Sequence, residues 1–326
     1  MNPLLKVDNL AVSFTTEAGS FRVVDDVSFT LYAGQTLGLV GESGCGKSVT
    51  ALSLLGLLPK PAGKVVAGQA FFQDQDLLTL TAKQRYQVRG NQIAMIFQEP
   101  MTALNPVHTI GRQLMEVYQL HRPQMSKREQ QAAALEMLQQ VGIPEANARL
   151  KAYPHQLSGG MRQRVMIAMA LACEPDLLIC DEPTTALDVT IQAQILHLIK
   201  ALQQKNGMAV IFITHDLGVV AQICDQVLVM YAGRSVEQAP VISLYEAPSH
   251  PYTQGLLASI ARLDRVSKTQ LATIPGQVPS LEEQRVGCRF ANRCQYRSDI
   301  CEQQPEVEQV AELHTVWCHH WQECAS

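Results

Sequence analysis

The 326-residue sequence lacks long apolar runs and has no large excess of one charge. Its longest apolar runs, such as 208–213, are far too short to cross a bilayer, and its first residues do not join a basic stretch to an apolar core. We therefore expect neither a membrane span nor a secretory signal, so that any role at a membrane depends on partners. The net charge of −4 gives no general reason to expect nucleic acid as a partner.

The composition indicates a folded protein of a reducing compartment. Hydrophobic residues make up 47% of the chain and charged residues 17%, which is typical of globular proteins, and the length suggests two or three domains. Because the nine cysteines occur without an export signal, we interpret them as thiols or metal ligands before disulfides.

The segment 41–48 reads G-x-x-x-x-G-K-S and organises the rest of the sequence. The apolar run before it predicts a strand, and the residues after it predict a helix, so the segment is a candidate phosphate-binding loop. Such a loop closes its backbone N–H groups around an anion at a helix N-terminus. We expect Lys47 to reach the β- and γ-phosphates and the Ser48 hydroxyl to bind Mg²⁺. The nucleotide-binding residues predicted here are Gly41, Ser43, Gly44, Cys45, Gly46, Lys47, Ser48 and Val49.

Polar side chains lie at the carboxyl ends of three predicted buried strands, which are 93–97, 177–182 and 209–214. Ligands of open α/β sheets bind at the carboxyl ends of their strands. Gln98 can place its amide oxygen on a metal ion, and Asp181 can hold Mg²⁺. Glu182 can orient or deprotonate an attacking water. His215 follows the last of these strands, although a lone histidine is usually structural.

The segment 109–140 has helical periodicity, with Ser126 and Glu129 as a plausible capping box before its second half. A further helix is predicted over 162–173, and it is preceded by Ser158, Gly159 and Gly160. Serine and glycine at a helix N-terminus form a second anion-binding site, which one nucleotide per chain does not need. We infer that two copies meet, each closing the other's nucleotide. A long helix is expected over 192–204.

The stretch 5–32 alternates apolar and polar residues on both sides of a turn at 17–19, which predicts an antiparallel sheet. Phe14 ends the first strand and can stack on an adenine ring, although an aromatic residue in a strand is more often part of the core. Phe21 is the alternative for this role.

Taken together, these motifs resemble the ordered set of the ATP-binding cassette (ABC) ATPases over about residues 4–245. The resemblance implies an α/β fold with a phosphate-loop core and mainly parallel sheet, an antiparallel β subdomain and an α-helical subdomain at about 103–165. It implies that Lys47, Glu182 and His215 are catalytic and that Asp188 links the two sites. It also implies that the Ser158 segment binds the partner chain's ATP. At position 161 this sequence has methionine, where the family more commonly has glutamine. Because Met161 lies beyond the anion-binding residues, we expect ATPase activity to be retained.

Cys45 lies where a helix N-terminus can lower the pKa of a thiol. The alternative is that it is a small residue at a variable loop position and that its identity does not affect function. From the first interpretation we expect a thiol-alkylating reagent to inhibit the ATPase and Mg-ATP to protect it.

The tail, 246–326, resembles the C-terminal extension of oligopeptide and dipeptide importer ATPases, a subfamily that includes nickel, glutathione and some oligosaccharide importers. The segments that carry this resemblance are 247–253, 274–279 and 287–294. Cys288, Cys294, Cys301 and Cys318 are separated by gaps of five, six and sixteen residues. This spacing does not identify which metal they would bind. Some members of the family hold a [4Fe-4S] cluster on this set, so the resemblance implies iron and sulfur, with zinc second.

The resemblance predicts an ATP- and Mg²⁺-dependent subunit of a di- or oligopeptide importer at the cytoplasmic side of the inner membrane. Its partners would be a related second ATPase or a second copy, two permease subunits and a periplasmic or extracellular substrate-binding protein. A permease helix would dock in a groove at 98–112. A soluble cassette ATPase acting on nucleic acid or ribosomes usually has a heptad insertion or two cassettes, and neither is present. The intact catalytic residues disfavour an inactive regulatory cassette.

Overall fold

The computed structural model describes residues 2–98, 103–183, 189–260, 273–283 and 286–324. By its internal contacts the chain divides into two compact units. Unit 1 comprises Met1–Thr79 and Phe212–Ser326, and unit 2 comprises Leu80–Ile211.

Twelve strands lie within the described residues. In chain order they are β1 (Leu5–Thr16), β2 (Gly19–Leu31), β3 (Thr36–Val40), β4 (Gly63–Phe72), β5 (Gln75–Asp76), β6 (Ile93–Ile96), β7 (Leu177–Asp181), β8 (Ala209–Thr214), β9 (Gln226–Tyr231), β10 (Arg234–Pro240), β11 (Glu308–Ala311) and β12 (His314–Val316).

The α-helices of the same residues vary from one turn to five turns. They are α1 (Lys47–Leu54), α2 (Ala82–Val88), α3 (Ile110–His121), α4 (Lys127–Gln140), α5 (Ala146–Arg149), α6 (Gly159–Leu171), α7 (Val189–Asn206), α8 (Leu217–Ile223), α9 (Val241–Glu246), α10 (Pro251–Ala258) and α11 (Trp321–Cys324).

Unit 1 contains the predicted antiparallel sheet, with strand order β2-β1-β4-β5. The first two strands pair from Leu5 opposite Leu31 to Phe14 opposite Phe21, as the alternation predicts. In the second sheet of this unit, β3 pairs in parallel with β9, which pairs antiparallel with β10. All five residues of β3 are buried, and the phosphate loop follows directly from its carboxyl end.

Unit 2 contains β6 and β7, which pair in parallel. The predicted capping box is confirmed at the start of α4, where Glu129 Oε2 accepts from the Ser126 N–H at 2.7 Å and Ser126 Oγ accepts from the Glu129 N–H at 3.3 Å. α6 begins three residues before the predicted 162, because Ser158 is its N-cap. α7 begins before the predicted 192 and ends after the predicted 204. The boundary between the two units falls within β8, between Ile211 and Phe212.

The tail has more regular structure than its low periodicity indicates. β12 pairs antiparallel with β10, with Glu237 opposite Val316, so the tail adds strands to the second sheet of unit 1. The fully buried Glu237 carboxylate accepts from the N–H groups of Ser249 (2.6 Å) and His250 (3.0 Å), and it contacts His314 Nε2 at 2.8 Å. These bonds connect the tail to β10 and give hydrogen-bond partners to the Glu237 carboxylate, which would otherwise be costly to bury.

His250 gives the fold a predicted sensitivity to acid. Its buried ring caps α10, where Nδ1 accepts from the Tyr252 N–H at 3.0 Å. Burial lowers the pKa of His250 from 6.5 to about 4, against an upward effect of Glu237. The unfolded chain therefore binds more protons than the folded chain between these two values, so stability present above pH 6.5 is lost as the pH falls toward about 4. We expect a loss of up to roughly 3 kcal/mol, measured by urea unfolding across this pH range.

The His250→Asn variant keeps a cap acceptor without a titrating ring, and we expect a flatter dependence of unfolding free energy on pH. His155→Asn, at an exposed ring in unit 2, is the control and should keep the wild-type slope. A wild-type slope in His250→Asn would contradict the prediction.

Candidate functional site

The phosphate loop joins β3 to α1 and depends on glycine at its first and last turns. Gly41 and Gly46 have φ of +149° and +99°, a range that favours glycine. A Cβ added at Gly41 would lie 2.2 Å from the Met230 carbonyl oxygen, so no side chain fits there. Ser43 and Gly44, between these glycines, are exposed. The loop therefore presents backbone to solvent in front of a helix N-terminus, as the motif predicts.

Lys47 lies inside the loop, and its side chain is buried. Its Nζ donates to the carbonyl oxygens of Gly41 at 2.7 Å and Glu42 at 3.1 Å. These bonds keep the ammonium within the loop, where an arriving phosphate can replace carbonyl acceptors. Ser48 follows as the second residue of α1 and is half-buried.

The expectation of a lowered pKa at the Cys45 thiol is wrong. The residue is 1% exposed, and burial raises the pKa of the Cys45 thiol despite the opposing effect of Lys47 Nζ, which lies 3.6 Å from Sγ. Desolvation of the thiolate outweighs the favourable helix N-terminus. The folded protein should therefore not react readily with an alkylating reagent at this position.

In unit 2, the strand-end residues lie as the sequence predicts. β7 ends at the buried Asp181, and Glu182 follows with a φ of +46°, a strained conformation for a residue other than glycine. Gln98 Nε2 donates to Glu182 Oε2 at 3.0 Å. The structure thus brings the predicted metal-ligand amide and the predicted base into direct contact.

The residues before α6 are open to solvent. Ser158 and Gly159 are exposed, and a Cβ added at Gly159 would meet no atom within 4 Å. Ser158 Oγ accepts from the Met161 N–H at 3.4 Å and so forms the N-cap. A Cβ at Gly160 would lie 3.6 Å from Ile191 Cγ2, which is ordinary contact. This helix N-terminus therefore has space in front of it for an anion.

Two other predicted residues, Phe14 and His215, lie in unit 1. The half-buried Phe14 ring packs beside Gly63 and pairs across the strands with Phe21, so both aromatic candidates occupy one end of β1 and β2. His215 follows β8 and is exposed. Asp188 lies outside the described residues.

The described part of the chain contains no group of three or more His, Cys, Asp or Glu side chains that could hold a metal ion. All four predicted ligands belong to that part, so as placed they form no site for a single ion such as zinc. They are nevertheless neighbours: burial, with smaller contributions from Cys301 and Cys294, raises the pKa of Cys288 to about 11. Burial likewise raises the pKa of Cys318 to about 12, with contributions from Cys324 and Cys288.

Sequence reasoning missed two tail residues that contact the phosphate loop. The Arg293 guanidinium pairs with the Glu42 carboxylate, and Tyr252 Oη accepts from the Glu42 N–H at 2.8 Å. Arg293 is 251 positions from Glu42 in the chain, and no local pattern indicates which of the many charged residues pair. The aromatic and charged content of the tail segments was the only available signal.

Two family profiles match the chain. The profile described as "ABC transporter" matches residues 24–185, and "Oligopeptide/dipeptide transporter, C-terminal region" matches residues 236–301. The dipeptide transport ATP-binding protein DppD of Bacillus subtilis is 52% identical over 98% of this chain and 95% of its own length. The oligopeptide transport ATP-binding protein OppD of Haemophilus influenzae is 52% identical over 94% of each chain. The chain belongs to this family of ABC transporter ATP-binding proteins.

A solved structure of an ATP-binding cassette has the same fold as this chain. The ATP-binding cassette MJ0796, solved as a dimer in a post-hydrolysis state with ADP and Pi, has 27% identity and a TM-score of 0.65 over 73% of this chain and 98% of that chain. The predicted ABC ATPase fold is thereby confirmed as an α/β fold, and its sheets are mixed. The predicted role of an ATP-hydrolysing transport subunit is also confirmed. Within the residues that the structure describes, no helix is long and apolar enough to cross a membrane.

Proposed function

We propose that the chain hydrolyses ATP to energise the import of dipeptides or short oligopeptides through an ABC transporter of the inner membrane, acting from its cytoplasmic side. The observation that carries this proposal is near-complete coverage by dipeptide and oligopeptide transport ATP-binding proteins at 52% identity, including the C-terminal region profile. Nickel, glutathione or an oligosaccharide is the alternative cargo. We also propose that the cassette ends near residue 245 and that the tail begins there.

In the proposed mechanism, the phosphate loop binds ATP through its backbone and Lys47, and Ser48, Gln98 and Asp181 would hold Mg²⁺. The ion would neutralise charge on the phosphates. Glu182 orients and deprotonates the attacking water, and His215 contacts the γ-phosphate. The support is that the buried loop lysine, the buried Asp181 and the Gln98–Glu182 contact have the chemistry these roles require.

A paired arrangement completes the proposal: the Ser158 segment of one chain closes the ATP of its partner. The exposed N-terminus of α6 supports this role, as does the likeness to a cassette solved as a dimer. The partner is a related second ATPase, with a second copy of this chain as the alternative. Two permease subunits and a substrate-binding protein complete the transporter, and nucleic acid has no part in it.

The predicted permease groove finds support within unit 2. A cavity of about 580 Å³ lies beside α3, and His108, Thr109 and Arg112 from the predicted segment line it. Glu116, Lys127 and Lys151 add charged side chains of both signs. Such a mixed lining fits the end of a permease helix with its polar cap, and we propose it as the coupling surface.

Reconstitution tests the function. The tagged chain is purified from membranes with the proteins that copurify, and the complex is placed in liposomes with ATP inside and binding protein and labelled dipeptide outside. We expect ATP-dependent accumulation that unlabelled peptides suppress and that a Glu182→Gln chain does not support. Accumulation of labelled nickel, glutathione or an oligosaccharide in parallel assays, without accumulation of the dipeptide, would identify the alternative cargo. Absence of accumulation of all four would contradict the proposal.

The finer prediction of a [4Fe-4S] cluster on Cys288, Cys294, Cys301 and Cys318 is a separate proposal. A cluster of several irons spaces its thiolates more widely than a single ion, and the mutual effects of these cysteines on their pKa values support their proximity. The His320 N–H also donates to Cys318 Sγ at 3.4 Å, as a thiolate ligand would accept. Anaerobically purified protein should absorb broadly at roughly 400 nm and contain iron. A colourless preparation with stoichiometric zinc would overturn it.

A further inference from the structure

The tail holds Glu42, the second residue of the phosphate loop, from two directions. Arg293 Nη1 donates to Glu42 Oε2 at 2.6 Å and Nη2 to Oε1 at 3.1 Å, which is a bidentate ion pair. The Glu42 N–H donates to Tyr252 Oη at 2.8 Å. Both the backbone and the side chain of this loop residue are therefore fixed by residues that follow the cassette motifs by more than 30 positions.

The Arg293 side chain is itself rigidly placed, with only 4% of it exposed. Its Nε donates to the Pro275 carbonyl at 2.9 Å, and Nη2 donates to the Ile274 carbonyl at 3.1 Å. The guanidinium lies 5.7 Å from the centre of the Tyr231 ring, which packs edge-on against Tyr252. A planar guanidinium satisfies these partners together, whereas an ammonium cannot.

The loop has an electrostatic reason to need this contact. Glu42 places a carboxylate in a loop whose proposed ligand is a polyphosphate, and like charges repel. Its carbonyl oxygen also holds Lys47 Nζ at 3.1 Å, so the orientation of Glu42 determines one of the acceptors around the phosphate-binding ammonium. Neutralising and orienting Glu42 therefore acts on the same atoms that are to bind ATP.

We propose that Arg293 is a positioning residue for ATP binding: from the tail, it neutralises Glu42 and fixes the phosphate loop in its binding conformation, with Tyr252 as the second anchor. The inference rests on the proposed ATP site at Lys47. It assigns the tail a direct role in nucleotide affinity that does not depend on whether its cysteines bind a metal.

A double-mutant cycle on the full-length chain tests the proposal, with ATP affinity measured by competition with a fluorescent ATP analogue. We expect Arg293→Met to weaken ATP binding about tenfold, because the Glu42 charge is then unpaired beside the phosphates. Adding Glu42→Gln to that variant should restore affinity to within about twofold of wild type. A role of Arg293 through side-chain packing alone would not be repaired by removing the opposite charge. Wild-type affinity in Arg293→Met, or no rescue in the double variant, would overturn the proposal.

Arg297→Met is the matched control, because Arg297 pairs with Glu302 in the same segment at 3.0 Å but the two side chains are 43% and 61% exposed. It should bind ATP as wild type does. Lys47→Ala, measured in parallel, separates the two proposals: if it binds ATP normally, the proposed site is wrong. If it fails to bind while Arg293→Met is normal, only the present inference is wrong. If Arg293→Met does not fold, Arg293→Gln replaces it, because glutamine removes the charge and can still form hydrogen bonds. The same changes in ATP affinity, and the same rescue by Glu42→Gln, then test the proposal.

Discussion

Replacing Glu182 by glutamine is expected to reduce ATP turnover by at least about a hundredfold while ATP remains bound, because the amide cannot accept the proton of the attacking water. Glutamine keeps the carbonyl oxygen that accepts from Gln98 Nε2, so the contact at 3.0 Å and the position of the side chain are retained. Phosphate release by the chain with its partner ATPase, and ATP retained after gel filtration, are the measurements.

The same variant tests the paired arrangement. With hydrolysis blocked, ATP should accumulate between two chains, and light scattering should show an ATP-dependent complex with the partner ATPase. Glu136→Gln is the matched control, since Glu136 also accepts from a glutamine amide, Gln140 Nε2 at 3.1 Å, on an exposed helix face. It should hydrolyse ATP at the wild-type rate. Failure of ATP to promote pairing in Glu182→Gln with the proper partner would contradict the paired mechanism.

Residues whose roles depend on local backbone chemistry could be predicted from the sequence. The phosphate loop needs glycine at particular φ values, Ser126 and Glu129 bond across three residues, and Asp181 ends a strand too apolar to lie elsewhere than in the core. In each case, the interacting groups are close in the chain, so the spacing of residue types carries the information.

The strand β4 shows where this reasoning stops. The segment 69–72, in which three of four residues are apolar, predicts only the last four positions of this strand. The strand begins at Gly63, because it pairs with β1 along its whole length from Phe72 to Gly63. Its first half is largely exposed and lacks alternation, so only the partner strand determines its conformation.

Tertiary surroundings also decided the chemistry of single groups. Cys45 has the sequence position of an activated thiol, but burial reverses the direction of its pKa shift. Glu237 and His314 are 77 positions apart and meet only because β12 joins β10. Charge and burial of this kind depend on which elements pack together, and the sequence pattern does not contain that information.

Replacing Gly41 by alanine is expected to weaken ATP binding at least about a hundredfold, because the added methyl group has no space and the loop must leave its binding conformation. The Cβ would lie 2.2 Å from the Met230 carbonyl oxygen and 2.8 Å from Cys45 Sγ. The carbonyl cannot retreat easily, since Met230 belongs to β9, which pairs with β3 directly before the loop. Equilibrium binding of ATP and a thermal unfolding curve are measured for the same preparation.

Gly34→Ala separates the clash from the cost of a positive φ. Gly34 has a φ of +75°, but a Cβ there would meet no atom within 4 Å, so the substitution should cost about 1 kcal/mol of stability and leave ATP affinity unchanged. If Gly41→Ala behaved like Gly34→Ala, with weaker folding and intact ATP binding, the geometry of the first turn would not be required for the nucleotide. Loss of binding with a folded chain would instead show that the close approach of Gly41 to β9 sets the shape of the loop that holds the phosphates.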